Sequence, residues 1–253
     1  MGLFEFIGFI LFAFAVFYVF KKRASIAYHK GVKEVLSGDS SVGMEQLRKA
    51  YKQGLAPAKQ IQVAYAELKF GEEREAKKIL NLLLMDAKIK PAVKSQARCM
   101  MAIIALQNKE ILEAKEILEA IKESGFVNSN FYATYGYMAI LTEDEQYYTD
   151  VNEEAYRYNS DNMVICDNYG LCLYKKGEYE KAKEIYAALM DKNPNFPEAY
   201  YNYGCVLDRL GEAELAIQMM EESLNQEFSG VTTIRRGAVE AYLQSLKNQV
   251  GKE

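Results

Sequence analysis

Two stretches, NYGLCLYKKGEYEKAKEIYAALMDKNP (Asn168–Pro194) and NYGCVLDRLGEAELAIQMMEESLNQEF (Asn202–Phe228), decide the fold. Laid one on the other, Asn168 and Asn202, Gly170 and Gly204, Gly177 and Gly211, and Ala182 and Ala216 all fall 34 residues apart. Each landmark has a mechanical reading. A small residue in the middle of a first helix lets a second helix approach closely. The glycine seven residues on ends that helix and makes the turn. The alanine five further along sits where the second helix crosses the first, and Asn193-Pro194 stops that second helix, because proline cannot continue it.

Stepping outward extends the register. The first-helix small places are Gly31, Ala64, Ala102, Gly136, Gly170 and Gly204. Twelve residues later come Gly43, Ala76, Ala114, Tyr148, Ala182 and Ala216, and a third column runs Ala50, Leu83, Ile121, Ala155, Leu189 and Ser223. All three columns share the steps 33, 38, 34, 34 and 34, so one register fits about six units. Their expected limits are 24–56, 57–90, 95–128, 129–162, 163–196 and 197–230, with a capping helix and tail over 231–253. In the cap, Ile234, Ala238, Ala241, Tyr242 and Leu246 recur at helical spacing. The fourth unit departs from the pattern: TEDEQYY (Thr142–Tyr148) stands where the glycine turn and crossing alanine belong, and a bulky Tyr148 is expected to push its helices apart.

The repeated unit resembles the tetratricopeptide repeat, a helix-turn-helix of about 34 residues. PEAYYNYGCVLDRLGEAELAIQMMEESL, from Pro197, matches the family pattern at most signature places, with Tyr200 and Cys166 at the family's tryptophan place. The resemblance implies an all-α, right-handed α-solenoid whose inner face is lined by first helices and receives a partner's peptide or helix. Carried onto this chain, the binding places hold Asp167, Leu171, Tyr174 and Lys175, then Tyr201, Cys205, Asp208 and Arg209, with Tyr137 in the fourth unit. That mixture of aromatics and charges of both signs suits a peptide with some apolar anchors. Tyr169, Tyr186 and Tyr203 are expected between helices rather than in the groove. The Lys/Arg/Asn clamp by which chaperone-tail receptors of the family hold a terminal carboxylate is missing from Asp167, Tyr201, Leu171 and Cys205.

The amino-terminal stretch LFEFIGFILFAFAVFYVF (Leu3–Phe20) carries one charge, Glu5, and seven of the chain's twelve phenylalanines. As a helix it would be about 27 Å long, close to the hydrocarbon thickness of a bilayer, so it is expected to be a transmembrane anchor. Lys21, Lys22 and Arg23 follow directly and predict a single-pass protein of the cell membrane, with the N-terminus outside and the C-terminal domain cytoplasmic. Anchor plus repeats is similar to the plan of bacterial lipopolysaccharide-assembly regulators, without their terminal four-cysteine metal knuckle.

The remaining composition narrows the function. The net charge of −4 and the lack of a basic stripe argue against nucleic acid. Cys99, Cys166, Cys172 and Cys205 form no C-x-x-C pair, and the single histidine, His29, leaves neither a zinc site nor a histidine-activated nucleophile. No phosphate-binding glycine loop, nucleophile elbow or H-E-x-x-H motif occurs. The sequence therefore predicts a non-enzymatic, membrane-tethered scaffold or adaptor binding partner proteins in its concave groove, with no cofactor, metal or small-molecule substrate. The alternative is a structural component of an envelope or secretion assembly with the repeats on the non-cytoplasmic side.

Overall fold

In the computed structural model, which describes Phe17 and residues 22–250, the chain is all helix with no strand among the described residues. The helices are α1 (residues 22–36), α2 (Ser40–Lys52), α3 (Pro57–Lys69), α4 (Glu73–Met85), α5 (Pro91–Gln107), α6 (Ile111–Glu123) and α7 (Ser129–Leu141). They continue with α8 (Glu145–Tyr158), α9 (Met163–Lys175), α10 (Tyr179–Met190), α11 (Pro197–Arg209), α12 (Ala213–Asn225) and α13 (Arg236–Val250). The chain divides into two compact units, residues 1–68 with 72–89 and residues 69–71 with 90–253.

Local chemistry sets the helix limits. Asn128, Asp144 and Asn162 each accept a hydrogen bond at the start of the following helix, from Phe131 N, Tyr147 N, and Val164 N with Ile165 N. Pro91 and Pro197 open α5 and α11, where a missing N–H costs nothing. Between the helices of each pair one residue turns left-handed: Gly38, Gly71, Lys109, Glu143, Gly177 and Gly211, with φ from 59° to 94°. These lie seven residues after the small places. Two are not glycine, so this backbone geometry is held there against the preference of the residue.

In the first unit, Gly31 of α1 lies against α2 so closely that a Cβ would come within 2.8 Å of Gly43 O and of Leu47. The Arg48 guanidinium donates twice to Glu67 of α3, at 2.9 and 2.7 Å. Glu67 is only 2% exposed, so this forked pair is what allows a carboxylate there.

In the second unit, α5 packs on α6, α7 on α8, α9 on α10 and α11 on α12, and the first helices α5, α7, α9 and α11 form a continuous row. A residue sixteen places after each small residue fills the crossing. Tyr186 lies over Gly170, Met220 over Gly204, and Asn152 over Gly136. All three are buried. Tyr148, expected to force α7 and α8 apart, is instead buried in the shared core, because the crossing itself is made by Asn152 on Gly136. α13 packs on α12 but starts later than its sequence spacing predicts. Val239 and Leu246 form its buried stripe, with Tyr242 and Leu243 packed beside them, whereas Ala238 and Ala241 are exposed.

The membrane expectation does not survive. Among the described residues no helix is long and apolar enough to cross a membrane. The described helices are short and alternate buried and exposed faces. The stretch 3–20, on which the anchor and the single-pass localisation rested, lies outside the described residues apart from Phe17. The localisation with N-terminus outside and C-terminal domain cytoplasmic is accordingly withdrawn.

Candidate functional site

The row of first helices in the second unit presents the residues the sequence singled out, and it separates them into two groups. The first centres on Asp167 of α9, which is buried rather than outward-pointing. Its Oδ1 accepts from Tyr186 Oη at 3.1 Å and from Asn202 Nδ2 at 2.9 Å. Burial pushes its carboxyl up to about 7, and the nearby Glu198 carboxylate adds to the rise against those two hydrogen bonds. Asp167 is thus a floor beneath the face. Asn168 beside it donates to Ala133 O at 2.7 Å, tying α9 to α7. Tyr137 of α7 is half-buried and shares a hydrogen bond with Thr233; burial raises its hydroxyl pKa.

The second group gathers Tyr174, Tyr201, Cys205, Asp208 and Arg209. Arg209 Nε donates to Tyr174 Oη at 3.4 Å. Tyr242 of α13 donates to Asp208 Oδ2 at 2.6 Å and meets the Tyr201 ring edge-on, with centroids 6.1 Å apart. Burial lifts the Tyr201 hydroxyl to about 12 and the Cys205 thiol to about 11, so neither ionises at neutral pH. Tyr242 therefore covers part of the aromatic surface that spacing alone leaves open. Leu171 is half-buried against the α7 core, and Lys175 is exposed. Of the tyrosines expected between helices, Tyr186 is fully buried, Tyr203 stacks on it at 5.7 Å, and Tyr169 stacks on Tyr156 at 4.5 Å.

Two residues of this face escaped the sequence reading. Glu198, three residues before Tyr201 on α11, accepts from both Thr233 N at 2.5 Å and Thr233 Oγ1 at 2.9 Å. Gln107, at the end of α5, donates its side-chain amide to Gly230 O. Helical spacing from Tyr201 could have found Glu198; nothing local signals Thr233 or Gly230.

The cysteines are free, with Cys99, Cys166 and Cys172 buried, and burial lifts Cys99 to about 12. Among the described residues no cluster of His, Cys, Asp or Glu is placed to hold a metal ion. His29 is exposed beside Lys59 and Tyr28.

Two family models, each described as tetratricopeptide repeat, match residues 165–196 and 185–218. The Photosystem I assembly protein Ycf3 of Acaryochloris marina is 39% identical over 62 residues, which is 24% of this chain and 37% of that protein. The chain thus spans little more than a third of that relative's length. Among solved structures, a chain of the APC/C hetero-tetramer Cut9–Hcn1 is similar with a TM-score of 0.66, at 15% identity, over 88% of this chain and 42% of that one. The pilF protein of Pseudomonas aeruginosa gives 0.57 at 14% identity, over 80% and 91%. Yeast Tom70 gives 0.56 at 14% identity, over 92% and 55%. At these identities the structures bear on the fold alone.

Proposed function

We propose that this chain, a tetratricopeptide-repeat protein, is an interaction scaffold that holds a segment of a partner protein along the first-helix face of its second unit, and that its helical pairs from residue 24 to 230 are six such repeats. One observation carries the reading: α5, α7, α9 and α11 stand side by side and offer half-buried aromatics beside exposed charge. Tyr137, Tyr174 and Tyr201 supply rigid contact area, and Lys175 and Arg209 supply charge at its border. Every acid near that face already has a structural partner, as Asp167, Glu198 and Asp208 show. Such an arrangement orients a ligand; it does not set up a proton transfer. The relative named for photosystem I assembly agrees with a protein whose work is to hold another protein.

Photo-crosslinking from the native cell tests this. A crosslinker at Lys175 or Arg209 should capture a defined partner, while one at Ala187 or Glu221, exposed on second helices, should not. Equal capture from both faces, or none from the first-helix face, would refute the scaffold reading.

A further inference from the structure

The connection from α12 to α13 is longer than its counterparts. Residues 159–162 join α8 to α9 and residues 191–196 join α10 to α11, whereas residues 226–235 join α12 to α13. The added length does not hang into solvent. Its ends are fixed by apolar packing, with Phe228 and Ile234 in the α11–α13 core and Arg236 over the Phe228 ring at 4.7 Å. Its middle is folded back on itself, Thr232 N donating to Ser229 O at 3.0 Å and Ser229 N to Thr232 Oγ1 at 2.9 Å. The turn so formed is laid on the first-helix face. Glu198 takes both donors of Thr233, Tyr137 bonds to Thr233, and Gln107 caps Gly230 O. Three first helices thus converge on five residues of the chain's own connection. Gly230 N also donates to Lys69 O at 2.7 Å, yet Thr233 and Gly230 are exposed, so the segment is held by surface hydrogen bonds and is not sealed in a core.

We propose that residues 229–233 are a built-in occupant of the face, which a partner segment must displace, and that the partner resembles it: a short turn bearing an unphosphorylated serine or threonine whose backbone N–H and hydroxyl both reach Glu198. The acidic setting excludes the phosphorylated form. Glu198 stands near the Asp167 carboxyl, and a phosphate brought to the same place would meet a carboxylate at hydrogen-bond distance with no Lys or Arg among the contacts that hold Thr233. A tenant attached to the same chain lowers apparent affinity by the fraction of time the face is free, so releasing it should raise affinity in proportion. This inference deepens the scaffold reading and rests on it.

The test uses a labelled peptide of the chain's own sequence, FSGVTTI (Phe228–Ile234), added to the full chain. Thr233→Pro removes the N–H and the hydroxyl together. It should bind the peptide at least about tenfold more tightly than the unaltered chain. Adding Glu198→Ala to that variant, which removes the acceptor of both Thr233 donors, should abolish the gain, and the peptide phosphorylated at its second threonine should not bind. If Thr233→Pro disturbs folding by circular dichroism, Thr233→Val, which removes the hydroxyl alone, should still bind the peptide more tightly than the unaltered chain. Equal affinity for unaltered and released chains, or no binding to either, overturns the occupant. Crosslinked partners recovered equally from the unaltered and Thr233-substituted chains would overturn the occupant and leave the scaffold reading standing; no partner from either would overturn the scaffold.

Discussion

Asp167→Asn is the substitution whose outcome the structure fixes most closely. The carboxyl is nine-tenths or more buried, and its Oδ1 is held by Tyr186 and Asn202. Its pKa stands at about 7 in the fold against an ordinary 3.8, chiefly through burial and then through Glu198. A raised acid binds its proton more tightly folded than unfolded. Its contribution to stability is therefore complete below about pH 4 and is lost as pH rises to about 7, above which the dependence is flat. At roughly 1.4 kcal/mol per tenfold change in proton affinity, the loss is on the order of 4 kcal/mol. Asparagine is the isostere of the protonated form: it keeps the Oδ1 acceptor and never ionises. Urea unfolding followed by circular dichroism should therefore find the two proteins about equally stable near pH 4 and the variant more stable by about 3–4 kcal/mol near pH 8. The difference between the two proteins isolates this group from Tyr137, Tyr186 and Glu198 around it. A difference that stays constant from acid to mild base would refute the reasoning, since it would mean that the carboxyl does not change charge where its burial says it must.

Other expectations follow from the packing. Lys109→Gly and Glu143→Gly, at φ 63° and 59°, should each raise stability by about 0.5–1 kcal/mol, read as a higher urea midpoint. Gly170→Ala would place a Cβ 2.6 Å from the ring of fully buried, hydrogen-bonded Tyr186 and should cost about 1–3 kcal/mol. Gly204→Ala meets the flexible end of Met220 and should cost visibly less; the reverse order in thermal melts would contradict the packing described. Arg48→Ala leaves Glu67 buried without its fork and should cost about 1–3 kcal/mol, with Arg48→Lys restoring only part, as measured by chemical denaturation.

The helical register was legible in the sequence because it is steric. Only small residues fit at Gly31, Gly170 and Gly204, where a Cβ would come within 2.6 to 2.8 Å of a neighbouring atom. The fourth pair misled for the same reason: size at Tyr148 was read as obstruction, yet the contact is made four residues later by Asn152. Asp167 was read as outward because its place on the helix faces the row. Asn202 and Tyr186, 35 and 19 residues away, draw it inward, and no local pattern announces such partners. Thr233 is invisible for a related reason, since only the folded chain brings it to Glu198. The basic flank after residue 20 suggested an orientation, but that reading rested on the stretch before it, which apart from Phe17 lies outside the described residues, and no described helix is long and apolar enough to cross a membrane.

Tyr186 joins the two sides of the second unit in a single rigid side chain. Its ring is wedged against Gly170, its face is stacked by Tyr203, and its hydroxyl ends on Asp167 O and Oδ1. A ring with no spare volume cannot absorb a displacement at one end without passing it to the other. One side chain therefore fixes the spacing of three helices, α9 through Gly170 and Asp167, α10 through its own backbone and α11 through Tyr203.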